Sequence, residues 1–435
     1  MSIFKKVVNF LFDFVIADKR TYLFLIVFFA YTADMNVFYG SDTLVTQLLP
    51  LSLIRDGDFY LDEFMNSSFG TEFSVVEVNN HLVSKFPVFT SLISTPIYLA
   101  FMISGYEMKS MHDISLAGNL SATLITALSV VFLYVALKEI TDERNAWYCA
   151  LIYAFATCTW SVSSQDLWQH GASQMFLAAS LYFLLKGLKD EHYTAYAGFT
   201  LACMVAARPP NIPIAVVLTV YVAHRQWRML KRFLLWALPP VLFLLAYSWF
   251  YFGSLLKFGQ AQYPLEGWVT PMSYGIASLL FSPSKGLFIY SPVLILSFIG
   301  IYYSWKNGNT MLKYLSASVF AMILLWSKWW AWHGANCYGY RMLLDITPIL
   351  ILFMIPVFQR HLDNKWFKYL LIALIAYSVI VQVVGVLFFD GLWDKEFLGL
   401  YYDKTGMQPA YWSLEKGELI HYFKKAFSTI KRLYP

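Results

Sequence analysis

The feature that most constrains this chain is a succession of about twelve apolar stretches, each close to the length a helix needs to cross a hydrocarbon layer. A crossing takes about 20 residues. Stretches of that kind occupy 21–39, 87–104, 114–137, 146–162, 171–186, 194–208, 211–223, 233–252, 287–304, 311–327, 342–357 and 368–389. A soluble globule is excluded, because 58% of residues are hydrophobic and only 14% charged, where soluble domains carry about a quarter charged. The expected fold class is an all-α polytopic membrane protein with about 11–13 transmembrane helices. The first apolar segment runs on without a small-residue cleavage site, which argues against a secretory signal peptide. Cys149, Cys158, Cys203 and Cys337 sit in or beside apolar segments without metal-type spacing and read as small core residues.

No internal repeat and no Gly/Ser- or Pro-rich linker divides the chain. The expected organisation is one transmembrane domain over 1–389, followed by a short polar and aromatic tail over 390–435. Basic clusters orient such a protein, since they favour the cytoplasmic side. The strongest is His224-Arg225-Gln226-Trp227-Arg228 with Lys231 and Arg232, and Arg360-His361 with Lys365 and Lys368 is the second. Counting outward from both puts 163–170, 208–211, 253–286, 328–340 and the tail on the opposite face. No nucleic-acid partner is expected.

The count fails to close in one place. Lys5, Lys6, Lys19 and Arg20 also belong in the cytoplasm, which sends Asp42 outside. Counting back from His224 then demands an odd number of crossings between Tyr39 and Lys138, yet two candidates lie there. Either one of 87–104 and 114–137 does not span, or 41–54 dips further into the membrane.

Four polar constellations share the outer face. The first is Tyr39-Gly40-Ser41-Asp42-Thr43, where the first span gives way to polar sequence, with an acidic run through Asp58 and Asp62 to Glu63. Between them Leu44, Leu48, Leu51 and Ile54 recur at helical spacing, which suits a helix resting on the membrane surface. The second is Lys85-Phe86-Pro87, a lysine at the mouth of the next apolar stretch. It fits a snorkelling cation or, facing a cavity, a compact phosphate-binding charge.

The third constellation is Asp166-Leu167-Trp168-Gln169-His170. Helical spacing would put Asp166 and His170 on one face. Two ligands do not make a metal site, so the group reads as sugar or acceptor recognition, with Trp168 as a stacking ring. The fourth is a set of cations at segment ends: Arg208 before Pro209-Pro210-Asn211, Lys285 in Ser282-Pro283-Ser284-Lys285-Gly286, and Arg341 after Trp329-Trp330-Ala331-Trp332-His333 and Gly339-Tyr340. Taken singly, each also fits an interfacial snorkelling residue. Together with Lys85 they could neutralise a phosphate or diphosphate at the bilayer surface.

These motifs resemble those of the GT-C superfamily of integral-membrane glycosyltransferases. The family places an essential acid directly after the first span, matched by Asp42, and a Lys-Pro-type motif at the next segment, matched by Lys85-Phe86-Pro87. A second acidic external loop is matched by Asp166. A group of bacterial GT-C-like membrane proteins is similar over the Leu49 to Asp58 stretch, Trp168-Gln169-His170, Ser282 to Gly286 and Gly339-Tyr340-Arg341. The short chain and the lack of a large soluble domain depart from the better-known members.

The resemblance implies a GT-C-like bundle whose first external loop carries membrane-parallel helices. It implies a polyprenyl-phosphate-linked sugar as donor, no cofactor and no divalent metal. Asp42 would be the general base and Asp166 the second catalytic acid. Lys85, Arg208, Lys285 and Arg341 would bind donor phosphate. Asp58, Asp62, Trp168, Gln169, His170 and His333 would contact sugar or acceptor. The partners are membrane lipid, the lipid-linked sugar and a glycan, lipid or protein acceptor. The expected location is a bacterial inner membrane with the site on the periplasmic side. A transporter or flippase of a lipid-linked or anionic substrate is the alternative. It predicts charged residues at mid-membrane and two related halves, whereas the polar residues here gather at segment ends.

Overall fold

The computed structural model describes residues 19–33, 40–64, 74–255, 267–306, 310–397 and 406–433. Lys5, Lys6, the junction 34–39 and the tail residues 398–405 lie outside them. Counting helices of ten residues or more, the chain forms α1 (Lys19–Thr32), α2 (Ser41–Arg55), α3 (Phe89–Ile103), α4 (Met111–Lys138), α5 (Glu143–Phe155), α6 (Gln169–Lys186) and α7 (His192–Ala207). It continues with α8 (Ile212–Arg225), α9 (Trp227–Phe252), α10 (Met272–Phe281), α11 (Ile295–Lys306) and α12 (Thr310–Lys328). The last three are α13 (Thr347–His361), α14 (Lys365–Phe388) and α15 (Glu418–Leu433). One antiparallel hairpin, β1 (Val75–Val78) and β2 (His81–Ser84), interrupts the helices between α2 and α3. Asn79 and Asn80 both take positive φ, 52° and 66°, the backbone a two-residue type I′ turn needs.

Packing runs through α4 against α6, α6 against α7, and α7 against α9, with α11 on α13 and α8 on α12. Among the described residues, five segments are long and apolar enough to cross a membrane: 111–138, 227–252, 310–328, 341–361 and 365–388. Their burial differs in a way that suits lipid. In α13, Ile349 to Val357 is enclosed by protein on every side, whereas α9 turns Leu234, Leu235, Trp236, Leu238 and Leu242 outward. So broad an exposed apolar surface would be a liability in water; against hydrocarbon it costs nothing.

Three expected spans are broken. The 146–162 stretch ends its α-helix at Phe155 and makes a wide turn over Thr159–Ser163. The 287–304 stretch is split at Pro292, which cannot donate a helical hydrogen bond, and α11 starts at Ile295. The 342–357 stretch opens with a tight 3₁₀ run, Arg341–Ile346, before α13. The third break begins at Arg341 itself, and Thr159 in the first accepts from Gln174 Nε2 at 3.1 Å.

Residues 40–113 also depart from expectation. The loop after α1 does carry a helix, but α2 lacks a single apolar face. Leu44, Leu48 and Leu51 are buried, and so are Thr43, Thr46 and Gln47. Protein therefore surrounds α2. Its partner α3 has 15 residues, about 22 Å at 1.5 Å per residue and short of the roughly 30 Å core of a bilayer.

Candidate active site

The site is built on the N-terminus of α2. Gly40 caps the helix, and its N–H donates to Thr43 Oγ1 at 2.9 Å. A Cβ on Gly40 would lie 3.1 Å from the Trp168 ring, so any larger residue would have to push the indole back by a few tenths of an ångström. Asp42 stands in the first helical turn, where the helix dipole favours a carboxylate. Its Oδ2 accepts a hydrogen bond from Arg341 Nη2.

Arg341 is held on all sides. Nη1 donates to the Gly334 carbonyl at 3.1 Å and Nε to His170 Nε2 at 3.3 Å, while the guanidinium lies 4.1 Å over the Trp168 ring. Because His170 Nε2 accepts, its proton sits on Nδ1, which faces Asp345 Oδ1 at 3.2 Å. The other Asp345 oxygen accepts from Arg208 Nε at 2.6 Å. Asp42, Arg341, His170, Asp345 and Arg208 thus form one chain of alternating partners around a neutral imidazole, and the two cations balance the two anions. Among the carboxylates, Asp345 is 0% exposed and Asp42 19%. A substrate can reach only Asp42.

Asp166 does not share that exposure. It is 1% exposed, and both oxygens are engaged from within. One accepts from the Thr43 hydroxyl and the Gly40 N–H, the other from Gln47 Nε2 at 2.5 Å and Leu167 N at 2.7 Å. Burial raises its carboxyl to about 7, opposed by these hydrogen bonds. The expected second catalytic acid is instead a clamp under α2. Gln169 adds a second tie, its Nε2 reaching Thr46 Oγ1 at 3.4 Å. Trp168 is the platform beneath Arg341, with its ring already covered.

The remaining expected residues make further contacts. Asp62 accepts from Leu82 N at 2.6 Å and meets His81 Nδ1 at 2.5 Å, so it pins the β-hairpin. Asp58 accepts the N–H of Tyr60 at 2.9 Å. Lys85 is half-buried just after β2. Lys285 is fully engaged by Glu418 Oε1 at 2.7 Å and the Cys337 carbonyl at 2.5 Å. His333 is buried with its ring stacked 4.5 Å from Tyr411, and burial holds its imidazole well below the usual range.

Residues not singled out from the sequence complete the site. Asp345 orients His170, and its signal was present: an acid four residues beyond Arg341 in an apolar run is costly and points to function. Thr43, Gln47 and Glu418 carry no comparable mark. Among the described residues no three His, Cys, Asp or Glu side chains converge on a common point.

A family model described as dolichyl-phosphate-mannose-protein mannosyltransferase matches residues 94–252. Two solved structures of ArnT from Cupriavidus metallidurans share the fold. The one bound to undecaprenyl phosphate has a TM-score of 0.52 and 14% identity, covering 87% of this chain and 67% of that one. The apo form has a TM-score of 0.51 and 13% identity, covering 92% and 66%. This chain therefore spans about two-thirds of the length of either. No curated protein matches it. The chain is thus a helical membrane bundle with the fold of these two ArnT structures, similar over residues 94–252 to the mannosyltransferase family.

Proposed function

We propose that the protein is a membrane glycosyltransferase that moves a sugar from a polyprenyl-phosphate-linked donor to an acceptor hydroxyl. The observation that carries this reading is the Asp42–Arg341 pair: a partly exposed carboxylate at a helix N-terminus, held beside a guanidinium fixed by three other contacts. A base and a phosphate-binding cation are the two groups such a transfer needs in contact. The mannosyltransferase model over 94–252 and the shared ArnT fold support it.

In the proposed reaction, the donor phosphate takes up the Arg341 guanidinium and releases Asp42. Asp42 removes the proton of the acceptor hydroxyl as its oxygen attacks the anomeric carbon. The bond from that carbon to the phosphate oxygen breaks, and charge growing on the leaving phosphate is stabilised by Arg341, with Arg208 behind it. One displacement inverts the anomeric carbon, so no carboxylate nucleophile is required. Lys285 leaves the expected phosphate set, because Glu418 already holds its ammonium. Asp166, Gln169 and His170 act by placing Asp42 and Arg341.

The site is proposed to lie on the periplasmic side of a bacterial inner membrane. Lys19 and Arg20 at the start of the first apolar segment favour the cytoplasmic side, which supports placing Asp42, at its far end, on the opposite face.

The deciding experiment is a transfer assay in native membrane extract, comparing wild type with Asp42→Asn. Consumption of a lipid-linked sugar by wild type alone supports the reading. A wild type that consumes none refutes it.

A further inference from the structure

We propose that Glu418 and Lys285 are positioning residues for Arg341, so that the C-terminal segment 406–433 is a working part of the transfer site. This rests on the reading above, in which Arg341 binds the donor phosphate. The loop between α12 and Arg341 has little regular structure of its own and is gripped from outside at four points. Lys285 Nζ donates to the Cys337 carbonyl at 2.5 Å, and Gly339 N–H donates to Glu418 Oε2 at 3.0 Å. Trp332 Nε1 donates to the Gly406 carbonyl at 2.8 Å, and His333 stacks on Tyr411. The first two holds fall four and two residues before Arg341.

The grip is narrow at Gly339. Its φ is +65°, and a Cβ there would meet Cys158 Sγ and the Tyr290 ring at 2.8 Å. Glu418 itself is fully buried. Besides Lys285 and Gly339 it accepts the Tyr290 hydroxyl at 2.6 Å, so each oxygen is satisfied. A buried pair of this kind adds little net stability compared with apolar packing, because desolvation offsets the attraction. What the pair does achieve is geometric: both of its charged groups bind the backbone of the loop that carries Arg341. Movement of that loop would separate the Gly334 carbonyl from Nη1 and shift the guanidinium relative to Asp42, and displacements of an ångström are enough to slow catalysis.

Three variants of the full-length protein in membranes test this: Glu418→Gln, Glu418→Gln/Lys285→Gln, and Glu418→Gln/Arg341→Lys, against wild type and Arg341→Lys. Glu418→Gln is expected to raise KM for the polyprenyl-phosphate sugar between about tenfold and a hundredfold, with a smaller change in kcat. The double amide is expected to recover most of that loss, because it keeps donors and acceptors while leaving no uncompensated charge. Where Arg341→Lys is already present, Glu418→Gln should add nothing, since it acts through the guanidinium. A wild-type KM in Glu418→Gln, a double amide no better than the single variant, or losses that simply add to Arg341→Lys would each overturn the proposal. Normal transfer by Arg341→Lys would overturn the phosphate reading together with it, an outcome distinct from failure of Glu418 alone. If Glu418→Gln does not fold, the double amide with and without Arg341→Lys decides the question.

Discussion

Asp166 accepts the hydroxyl of Thr43, 123 residues earlier in the chain, and through it fixes the first turn of the helix that carries Asp42. The same carboxylate holds Gln47 one turn further on. Asp166→Ala would take the acceptor from the buried Gln47 amide N–H, at a cost of about 1–3 kcal/mol, and loosen Thr43 and Gly40, which would keep only each other. Asp166→Asn would instead aim an amide N–H at one of the existing donors. Both variants should lower the thermal midpoint in detergent and reduce transfer together. A stable Asp166→Asn that loses only kcat would return Asp166 to the chemistry.

Asp42→Asn should behave differently. The amide keeps a side-chain oxygen for Arg341, so the fold and donor binding persist, while the base is gone. Transfer should fall by about a hundredfold to ten-thousandfold. Single-turnover assays with a labelled lipid-linked sugar, alongside a donor-binding measurement, check both halves. Unchanged turnover would remove Asp42 from the chemistry and point to Asp58, Asp62 or Asp166.

The buried trio His170, Asp345 and Arg208 predicts an asymmetry between single and paired changes. Asp345→Asn strands the Arg208 charge inside the protein, which costs about 3–5 kcal/mol. Arg208→Met with Asp345→Leu removes both charges and should be far closer to wild type in stability. Transfer should nevertheless be lost in the pair, because His170 no longer has an orienting acceptor. Thermal unfolding and activity measured on both variants separate the two effects.

Asp394 predicts a pH dependence in the tail. It is 2% exposed, and neither carboxyl oxygen has a hydrogen-bond partner among the described residues. Burial raises its carboxyl from an ordinary 3.8 to about 7, against the pull of the Lys285 ammonium. A folded-state value above the unfolded one stabilises fully below about pH 4, and that contribution is lost as pH rises through 7. The thermal midpoint of wild type relative to Asp394→Asn should therefore fall between pH 5 and pH 8. Parallel midpoints across that range would show that Asp394 stays ionised.

Much of this protein follows from local chemistry. Runs of apolar residues at spanning length dictate helices and a membrane, because no aqueous packing covers them. The lone acid after the first span and the cations at segment ends mark the site, since ionisable groups beside hydrocarbon are costly to keep. Asn79-Asn80 and Asp345 went unread in the sequence, although one is turn chemistry and the other an acid in an apolar run.

Tertiary structure decided which of those charges meet. Asp42 and Arg341 are 299 residues apart in sequence, and spacing carries no information about a contact made across the bundle. Asp166 and Lys285 look equivalent to their neighbours in the sequence. Burial and pairing separate them: Asp166 is enclosed beneath α2 and Lys285 is bound by Glu418, whereas Asp42 keeps an open side. Role here depends on solvent access and on partners, and both are properties of how the helices pack rather than of the residues themselves.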